Sequence, residues 1–548
     1  RMLGICHFGS FHAAMDAAQH LVKLKPLGVE LVDSTMIALA REIPMFRSTI
    51  EEFVRGTPEA LLIVEFAEDT PEASQAQLVA LSELMGDLGF DWRHQGARLG
   101  GVVEVTDPSL QARIANVRTS GLNIMMSMKE EGKPVSFVED CAVELPDLAE
   151  YTDRLTAIFE KHGTSGTWYA HASVGCLHVR PILNMKTEDG ARAMRAIAEE
   201  TFEMVRAYKG SHSGEHGDGI VRSEFNELMF GQRMVKSFEE VKDRFDPAGL
   251  LNPGKIIRAP RMDDRNLMRY PPGYGAGEIP TALDWSQWPG AGGGFQGAVE
   301  MCNNNGACRK LEGGVMCPSY RLTRNEADVT RGRANSLRLA ITGQLGRDAL
   351  TSDEMMESLK LCVSCKACRR ECPTGVDMAR MKIEVMHARA RERGISLHDR
   401  LVGYLPKYAP YAARMASLVN LRDRVPGAAW LSEKIAGFSS RRKLPRWRRD
   451  IFDHDQSGGP LDGREVLLFA DTFNSYFEPE NLRAAMRVLA AGGYRVDVAR
   501  AVDGARPLCC GRTFLSAGLV DEARAEAQRL VQAVEAAVAR GVPIIGLE

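Results

Sequence analysis

The 548 residues contain no apolar run that approaches the ~20 needed to span a bilayer as a helix. The opening residues, 1–10, lack the basic end, long apolar stretch and small-residue cleavage site of a secretory signal. The expected location is therefore cytoplasmic. Neither sign of charge dominates: 69 Lys plus Arg stand against 72 Asp plus Glu, a net charge of −3. That balance argues against a general nucleic-acid binder and leaves small molecules or other proteins as partners. Twelve cysteines are too few to staple a chain of this length, but seven of them fall between Cys302 and Cys372, where they read as a ligand set.

Hydrophobic residues at 45% and charged residues at 26% are the mixture of folded globular chains, and the length is three to four domains' worth at roughly 100 to 200 residues each. From residue 1 to about 258, apolar runs such as 61–66 mix with amphipathic patterns that predict helices over 71–88, 189–209 and 225–245, an α+β layer structure. Periodicity disappears into Pro and Gly over 259–297, a predicted linker. The cysteine-rich segment and a helical stretch over 376–393 lie within a third region, 298–445. A basic segment including Arg441, Arg442, Lys443 and Arg446 to Arg449 reads as solvated linker, with 446–464 as the boundary. A βαβ-like tail follows over 465–548, with strands at 466–469, 494–498 and 542–545 and helices at 479–491 and 517–539. The chain opens on Arg1 and stops at Glu548 inside an apolar strand pattern, so both ends are expected to continue in a longer protein.

Cys362, Cys365, Cys368 and Cys372 before Pro373 follow the C-x2-C-x2-C-x3-C-P run of bacterial-type [4Fe-4S] proteins. In that run the last cysteine reaches the other cluster of a pair, so a partner motif is required. Cys302, Cys308 and Cys317 before Pro318 supply it. Crossing the ligands assigns Cys362, Cys365, Cys368 and Cys317 to one [4Fe-4S] cluster and Cys302, Cys308 and Cys372 to a second. Asn305 stands where the second cluster's remaining cysteine would be, which suits a three-iron cluster or a four-iron cluster with a non-thiolate ligand. Zinc knuckles also use C-x2-C pairs, but as two pairs separated by a spacer rather than four cysteines in eleven residues.

A second constellation lies upstream. His171 and His178 flank a turn containing Gly175, and two short strands around it would bring both imidazoles to one point. Glu215 follows in the glycine-rich loop 211–219. Two imidazoles and a carboxylate are a plausible divalent-metal set with positions left open for an oxygen ligand; the alternative is a group of hydrogen-bonded histidines and strand-ending glycines.

These motifs, with Asn252-Pro253-Gly254-Lys255, resemble the C-terminal cap of FAD-linked D-2-hydroxyacid dehydrogenases in the vanillyl-alcohol-oxidase superfamily. The whole chain resembles the C-terminal portion of fused FAD/iron–sulfur D-2-hydroxyglutarate dehydrogenases, relatives of D-lactate and glycolate dehydrogenases. The resemblance implies an α+β cap, ferredoxin-like, with an antiparallel sheet and helices, followed by an α-helical two-cluster ferredoxin domain. It implies that His171, His178 and Glu215 hold zinc or manganese against the substrate, and that His216 is the base on its hydroxyl. It also implies that Arg118 grips a substrate carboxylate, with a surface salt bridge as the alternative, and that Asn252 to Lys255 close over FAD, with a helix-ending turn as the alternative.

Two departures accompany the resemblance. Arg180 stands where many relatives carry Asn, which suggests a distal-carboxylate role and a dicarboxylate substrate; the family lysine has no clear counterpart, although Lys133 is nearby. No glycine-rich FAD pyrophosphate segment occurs, so most of FAD is expected to be held by a domain outside this chain. Cys509-Cys510-Gly511 resembles the Cys-Cys-Gly module of heterodisulfide-reductase and glycolate-oxidase iron–sulfur subunits. This implies a partial α/β domain, working or degenerate, with Asp471 near a replaced cysteine. Cys6, Cys141 and Cys176 read as small buried residues. The expected activity is oxidation of a D-2-hydroxyacid, D-2-hydroxyglutarate to 2-oxoglutarate with D-lactate or glycolate as the alternatives, with electrons passing from FAD through the clusters to a quinone or electron-transfer protein; a homo-oligomer is compatible with it. The competing expectation is a non-catalytic electron-transfer subunit.

Overall fold

The computed structural model describes residues 1–94 and 96–547. They form two compact units: Arg1–Ile279, Trp285–Thr342 and Cys365–Asp377 make the first, and Pro280–Asp284, Gly343–Ser364 and Met378–Glu548 the second.

The first unit is built on β1 (Met2–Phe8), β2 (Gly28–Asp33), β3 (Ala60–Phe66), β4 (Gly100–Val105), β5 (Lys133–Pro134), β6 (Cys141–Ala142), β7 (Gly166–His171) and β8 (Cys176–Leu183). They make one sheet in the order β4-β1-β3-β2-β7-β8-β5, with β6 also paired to β8, and each pairing is antiparallel. The central strands are nearly continuous apolar runs because both faces are covered. Cys6, Phe8, Leu62 and Val64 pack with helices Phe11–Leu21, Pro71–Asp87, Leu148–Lys161 and Glu188–Ala207. Ile5, Leu61 and Ile63 point the other way, toward helices Ser34–Glu42, Pro44–Phe53 and Pro108–Thr119. Thr70 and Thr187 cap two of these helices, each hydroxyl accepting from a backbone N–H three residues on. The helix expected over 225–245 is two helices, Asn226–Phe230 and Gln232–Phe245. Gly231, at φ 80°, leaves helical space between them although the apolar period runs on.

The Pro- and Gly-rich stretch after residue 258 is irregular but packed. Met262 joins the sheet's core, and Trp285 is buried beside Trp288 and Phe295. The segment that follows is fastened to the cap. Lys186 pairs with Glu131 at 2.8 Å and Glu300 at 2.5 Å, Asn303 bonds Asn123 at 3.1 Å, and Arg269 donates to the Cys302 carbonyl at 3.1 Å.

In the second unit, β9 (Ser457–Gly458), β10 (Arg464–Phe469), β11 (Tyr494–Val498) and β12 (Ile544–Gly546) form a sheet ordered β12-β10-β11-β9, parallel except for β9. Leu468, Leu482 and Val496 form its core with helix Pro479–Ala491. The helix expected over 517–539 begins later, at Val520, after a separate turn Arg512–Ser516. Among the described residues no helix is long and apolar enough to cross a membrane.

The β7–β8 connection is a single 3-10 turn, Ala172–Val174, closed by Gly175 at φ 67°. A Cβ there would sit 2.1 Å from the Val143 carbonyl oxygen. Gly175→Ala should therefore destabilise the first unit by roughly 1–3 kcal/mol and displace both flanking histidines; a lower first unfolding transition in calorimetry is the expected readout.

Candidate metal and substrate site

Strand register deals the site onto one face of the sheet. Glu30 on β2 pairs with His171 on β7, and Tyr169, two residues earlier, pairs with His178 on β8. With period-two alternation, Glu30, His171, His178 and Arg180 share the face that also carries Val32. Helix Pro108–Thr119 packs over that face through Ile114 and Val117, and its last turn brings Arg118 to the same edge, where Nη2 donates to Glu30 Oε1 at 2.8 Å.

The loop 211–219 arrives from helix Glu188–Ala207. It is pinned by an antiparallel bridge between Ser211 and Ala142 and by Gly214 N–H donating to the Asp140 carbonyl at 2.7 Å. Asp140, fully buried, then accepts from the backbone N–H groups of both Glu215 and His216 at 2.9 Å each. Arg222 lies 3.4 Å from its carboxylate and donates to the carbonyls of Glu139 and Gly217.

Held in this way, Glu215 Oε1 is the point of convergence. His178 Nε2 lies 3.0 Å from it, His171 Nε2 3.3 Å and His216 Nε2 3.4 Å. The His178 and His216 rings stack at 4.8 Å. Ligand atoms of Asp140, His178, Glu215 and His216 all lie within 4.8 Å of one another. Asp140 already accepts two amide bonds and faces Arg222, so it positions the loop, while the three imidazoles and Glu215 are the donors free to hold a cation. Burial, reinforced by His171 and His216, lowers His178 below its ordinary value; it is therefore neutral near pH 7, the form that ligates. His171 is raised by its hydrogen bond to Glu30 at 2.9 Å, against partial burial. This is the carboxylate–imidazole support that orients metal-binding histidines.

His216 Nδ1 faces Glu139 Oε1 at 3.5 Å. Glu139 in turn pairs with Arg180 at 2.5 Å; burial works against its charge, but Arg180 and Ser136 hold it below the ordinary carboxylate range. Arg180 is buried and also lies over the Tyr169 ring, so its guanidinium is engaged inside the protein. Beyond Ser136, which accepts from Arg180 Nε at 3.3 Å, opens a cavity of about 240 Å³ lined by Lys133, Lys186, Arg269 and Tyr270. Burial lowers Lys133 to about 8, which leaves it mostly charged at pH 7. Glu30, Glu139, Asp140 and Arg222 were absent from the sequence reading. An acid inside the apolar strand at Glu30 and the acidic pair at 139–140 between apolar neighbours were the available signals.

Asn252, at φ 45°, and Lys255 stand on the surface, and their loop is tied to the loop 211–219 and the turn that follows it. Ile256 N–H donates to Ser223 Oγ at 2.9 Å, and Asn226 Nδ2 donates to the Ile256 carbonyl at 2.9 Å and to Asp218 at 3.1 Å. Phe245, Leu250 and Leu251 are strongly exposed beside it.

None of the twelve cysteines is joined in a disulfide. Cys302, Cys308 and Cys372 line one small cavity together with Asn305. The Asn305 amide is occupied locally, bonding Asn303 at 2.6 Å and the Ala307 N–H at 2.8 Å. Burial raises Cys302 and pushes Cys308 up to about 11, whereas Cys317, despite burial, is held below its ordinary value by Ser319, Thr330 and Arg333. Burial pushes Cys141 and Cys176 up to about 12, as befits inert thiols, and Cys6 is raised further still. In the second unit Cys509 is buried and Cys510 exposed, while Asp471 caps helix Thr472–Tyr476 through two N–H bonds.

Two outcomes follow from this geometry. Asp140→Ala leaves Arg222 buried without its counter-charge and frees two amides, and should cost about 3–5 kcal/mol in thermal unfolding. Because the folded-state value of His171 lies above the ordinary 6.5, the Glu30–His171 pair contributes fully below that pH and its contribution is lost as pH rises through the raised value. The stability gap between the native chain and Glu30→Gln should therefore shrink from pH 6 upward in metal-free protein.

Residues 1–256 match the model of the FAD linked oxidases, C-terminal domain, and residues 298–376 that of the 4Fe-4S dicluster domain. The D-2-hydroxyglutarate dehydrogenase of Escherichia coli is 28% identical over 547 residues, covering 89% of this chain and 52% of the relative. That of Pseudomonas putida is 28% identical, covering 99% and 56%. The D-lactate dehydrogenase of Archaeoglobus fulgidus is 28% identical over 239 residues, covering 43% and 46%. The chain spans about half the length of the curated relatives it matches. The similarity to FAD-linked oxidases is thus carried by residues 1–256, and that to 4Fe-4S dicluster domains by residues 298–376.

Proposed function

We propose that this chain is the substrate-cap and electron-relay portion of a flavin-dependent dehydrogenase that oxidises a D-2-hydroxyacid, with D-2-hydroxyglutarate its substrate and 2-oxoglutarate the product. The observation that carries this reading is the convergence of His171, His178 and His216 on one oxygen of Glu215. His171, His178 and Glu215 would hold a divalent metal, zinc or manganese, and His216 would remain as the base. When bound, the metal supplies Lewis acidity to the substrate hydroxyl and FAD accepts the hydride.

The chain's own residues do the rest. His216 Nε2 takes the hydroxyl proton, and the ionised Glu139 on its Nδ1 side stabilises the imidazolium that forms. Arg180 acts through Glu139 as a positioning residue, because its charge is engaged there. This moves the distal-carboxylate role expected of Arg180 to Lys133 in the adjoining cavity, because Lys186 there is already paired with Glu131 and Glu300, while Arg118 grips the carboxylate next to the hydroxyl. A dicarboxylate suits two such cationic points better than lactate or glycolate does. The exposed Phe245, Leu250 and Leu251 around Asn252 to Lys255 support a flavin-binding domain packing there, since apolar side chains of this size are normally covered. Electrons would then pass one at a time through the clusters of Cys362, Cys365, Cys368 and Cys317 and of Cys302, Cys308 and Cys372, the second a three-iron or open four-iron cluster, to a quinone or electron-transfer protein.

In full-length protein, His216→Ala should lower turnover of D-2-hydroxyglutarate by about 10²–10⁴-fold while iron, sulfide and the EPR signals of the clusters remain. Turnover that survives the substitution would instead support a non-catalytic electron-transfer subunit.

A further inference from the structure

The iron–sulfur segment contains one buried cation aimed at a single cysteine. Arg333, on helix Thr330–Ile341, is 1% exposed, and its Nη1 lies 3.7 Å from Cys317 Sγ. Ser319 Oγ is also close, 3.4 Å from the sulfur. Its one hydrogen, however, goes to the Asp328 carbonyl at 2.6 Å, and its lone pairs accept from both Arg333 Nη1 and Nη2 at 3.2 Å. The serine therefore fixes the guanidinium beside the sulfur and leaves the Arg333 N–H as a charged donor to it. The Asp328 carboxylate lies 3.8 Å from Nη2. Two arginines near the second cysteine set have other partners: Arg331 reaches Glu326 and the Asn304 carbonyl, and Arg269 the Cys302 carbonyl.

Hydrogen bonds to cluster sulfurs and local charge set the reduction potential of an iron–sulfur centre. One-electron reduction adds a negative charge and makes or breaks no bond, so a buried cation on a ligand sulfur favours the reduced form. We propose that Arg333 tunes the cluster to which Cys317 belongs, acting through the Cys317 sulfur to raise its reduction potential and make it the preferred residence of the electron. This rests on the iron–sulfur relay reading above.

The test is an EPR-monitored redox titration of the reconstituted chain. The Cys317 cluster is identified as the signal lost in Cys365→Ala. At the potential that half-reduces this cluster in the native chain, Arg333→Gln should lower its reduced-to-oxidised ratio about tenfold, equal to about 59 mV for one electron, with the other signal unmoved. Arg333→Lys, which keeps the charge, should retain most of the native ratio. Ser319→Ala, which releases the guanidinium without removing it, should give a smaller shift in the same direction and serves if Arg333→Gln does not fold. Unchanged potentials in loaded Arg333→Gln or Ser319→Ala protein would overturn this inference alone. A native chain that takes up no iron and sulfide would overturn the relay reading and the inference with it.

Discussion

The site depends on one buried carboxylate. Asp140 lies at φ 73°, a left-handed conformation that costs a non-glycine residue roughly 1–2 kcal/mol, and the surrounding bonds hold it there. Its backbone N–H donates to the Leu177 carbonyl of β8, and its own carbonyl accepts from Gly214. Its side chain accepts the amides of Glu215 and His216. One residue thus ties the strand bearing His178 to the loop bearing Glu215 and His216. Without that tie, two successive loop residues have no reason to face the same histidine.

Electrostatics around this point are arranged in layers. Three imidazoles meet one carboxylate, each of two of them is backed by a second carboxylate, Glu30 or Glu139, and each of those acids is paired with an arginine, Arg118 or Arg180. Arg180 helps to hold Glu139 below the ordinary carboxylate range, and both acids orient the rings. Desolvation acts oppositely on the central group: His178, 2% exposed and flanked by two other imidazoles, is kept neutral. A cation entering such a site replaces repulsion among imidazoles with coordination, which is why a donor set of this kind suits a divalent ion better than it suits an empty pocket.

The sequence disclosed the donors and concealed their supports. His171, His178 and Glu215 are polar residue types beside glycines, in positions where strands and loops meet, and the C-x2-C-x2-C-x3-C-P spacing is local enough to read directly. Glu30 lies 141 positions from the ring that it orients, and Arg180 differs from a free binding residue only through Glu139, which long-range register and loop placement bring to it. Helices were legible where the apolar period and a cap agreed, as at Thr70 and Thr187. They were misjudged at Gly231, where one backbone angle outweighs an unbroken apolar pattern.

The fastening of the cysteine segment to the cap carries the remaining architectural logic. On the reading proposed above, a relay beside a substrate site would need its first centre held in place rather than tethered. Lys186 bridges Glu131 and Glu300, Asn303 bonds Asn123 only a few residues beyond Arg118, and Arg269 holds the Cys302 carbonyl. Lys133, on the wall of the cavity beyond Ser136, reaches Met301 Sδ at 3.7 Å, one residue before Cys302. The same lysines that line the cavity therefore also fix the cysteine loop. A change that repacks that cavity cannot leave the loop undisturbed.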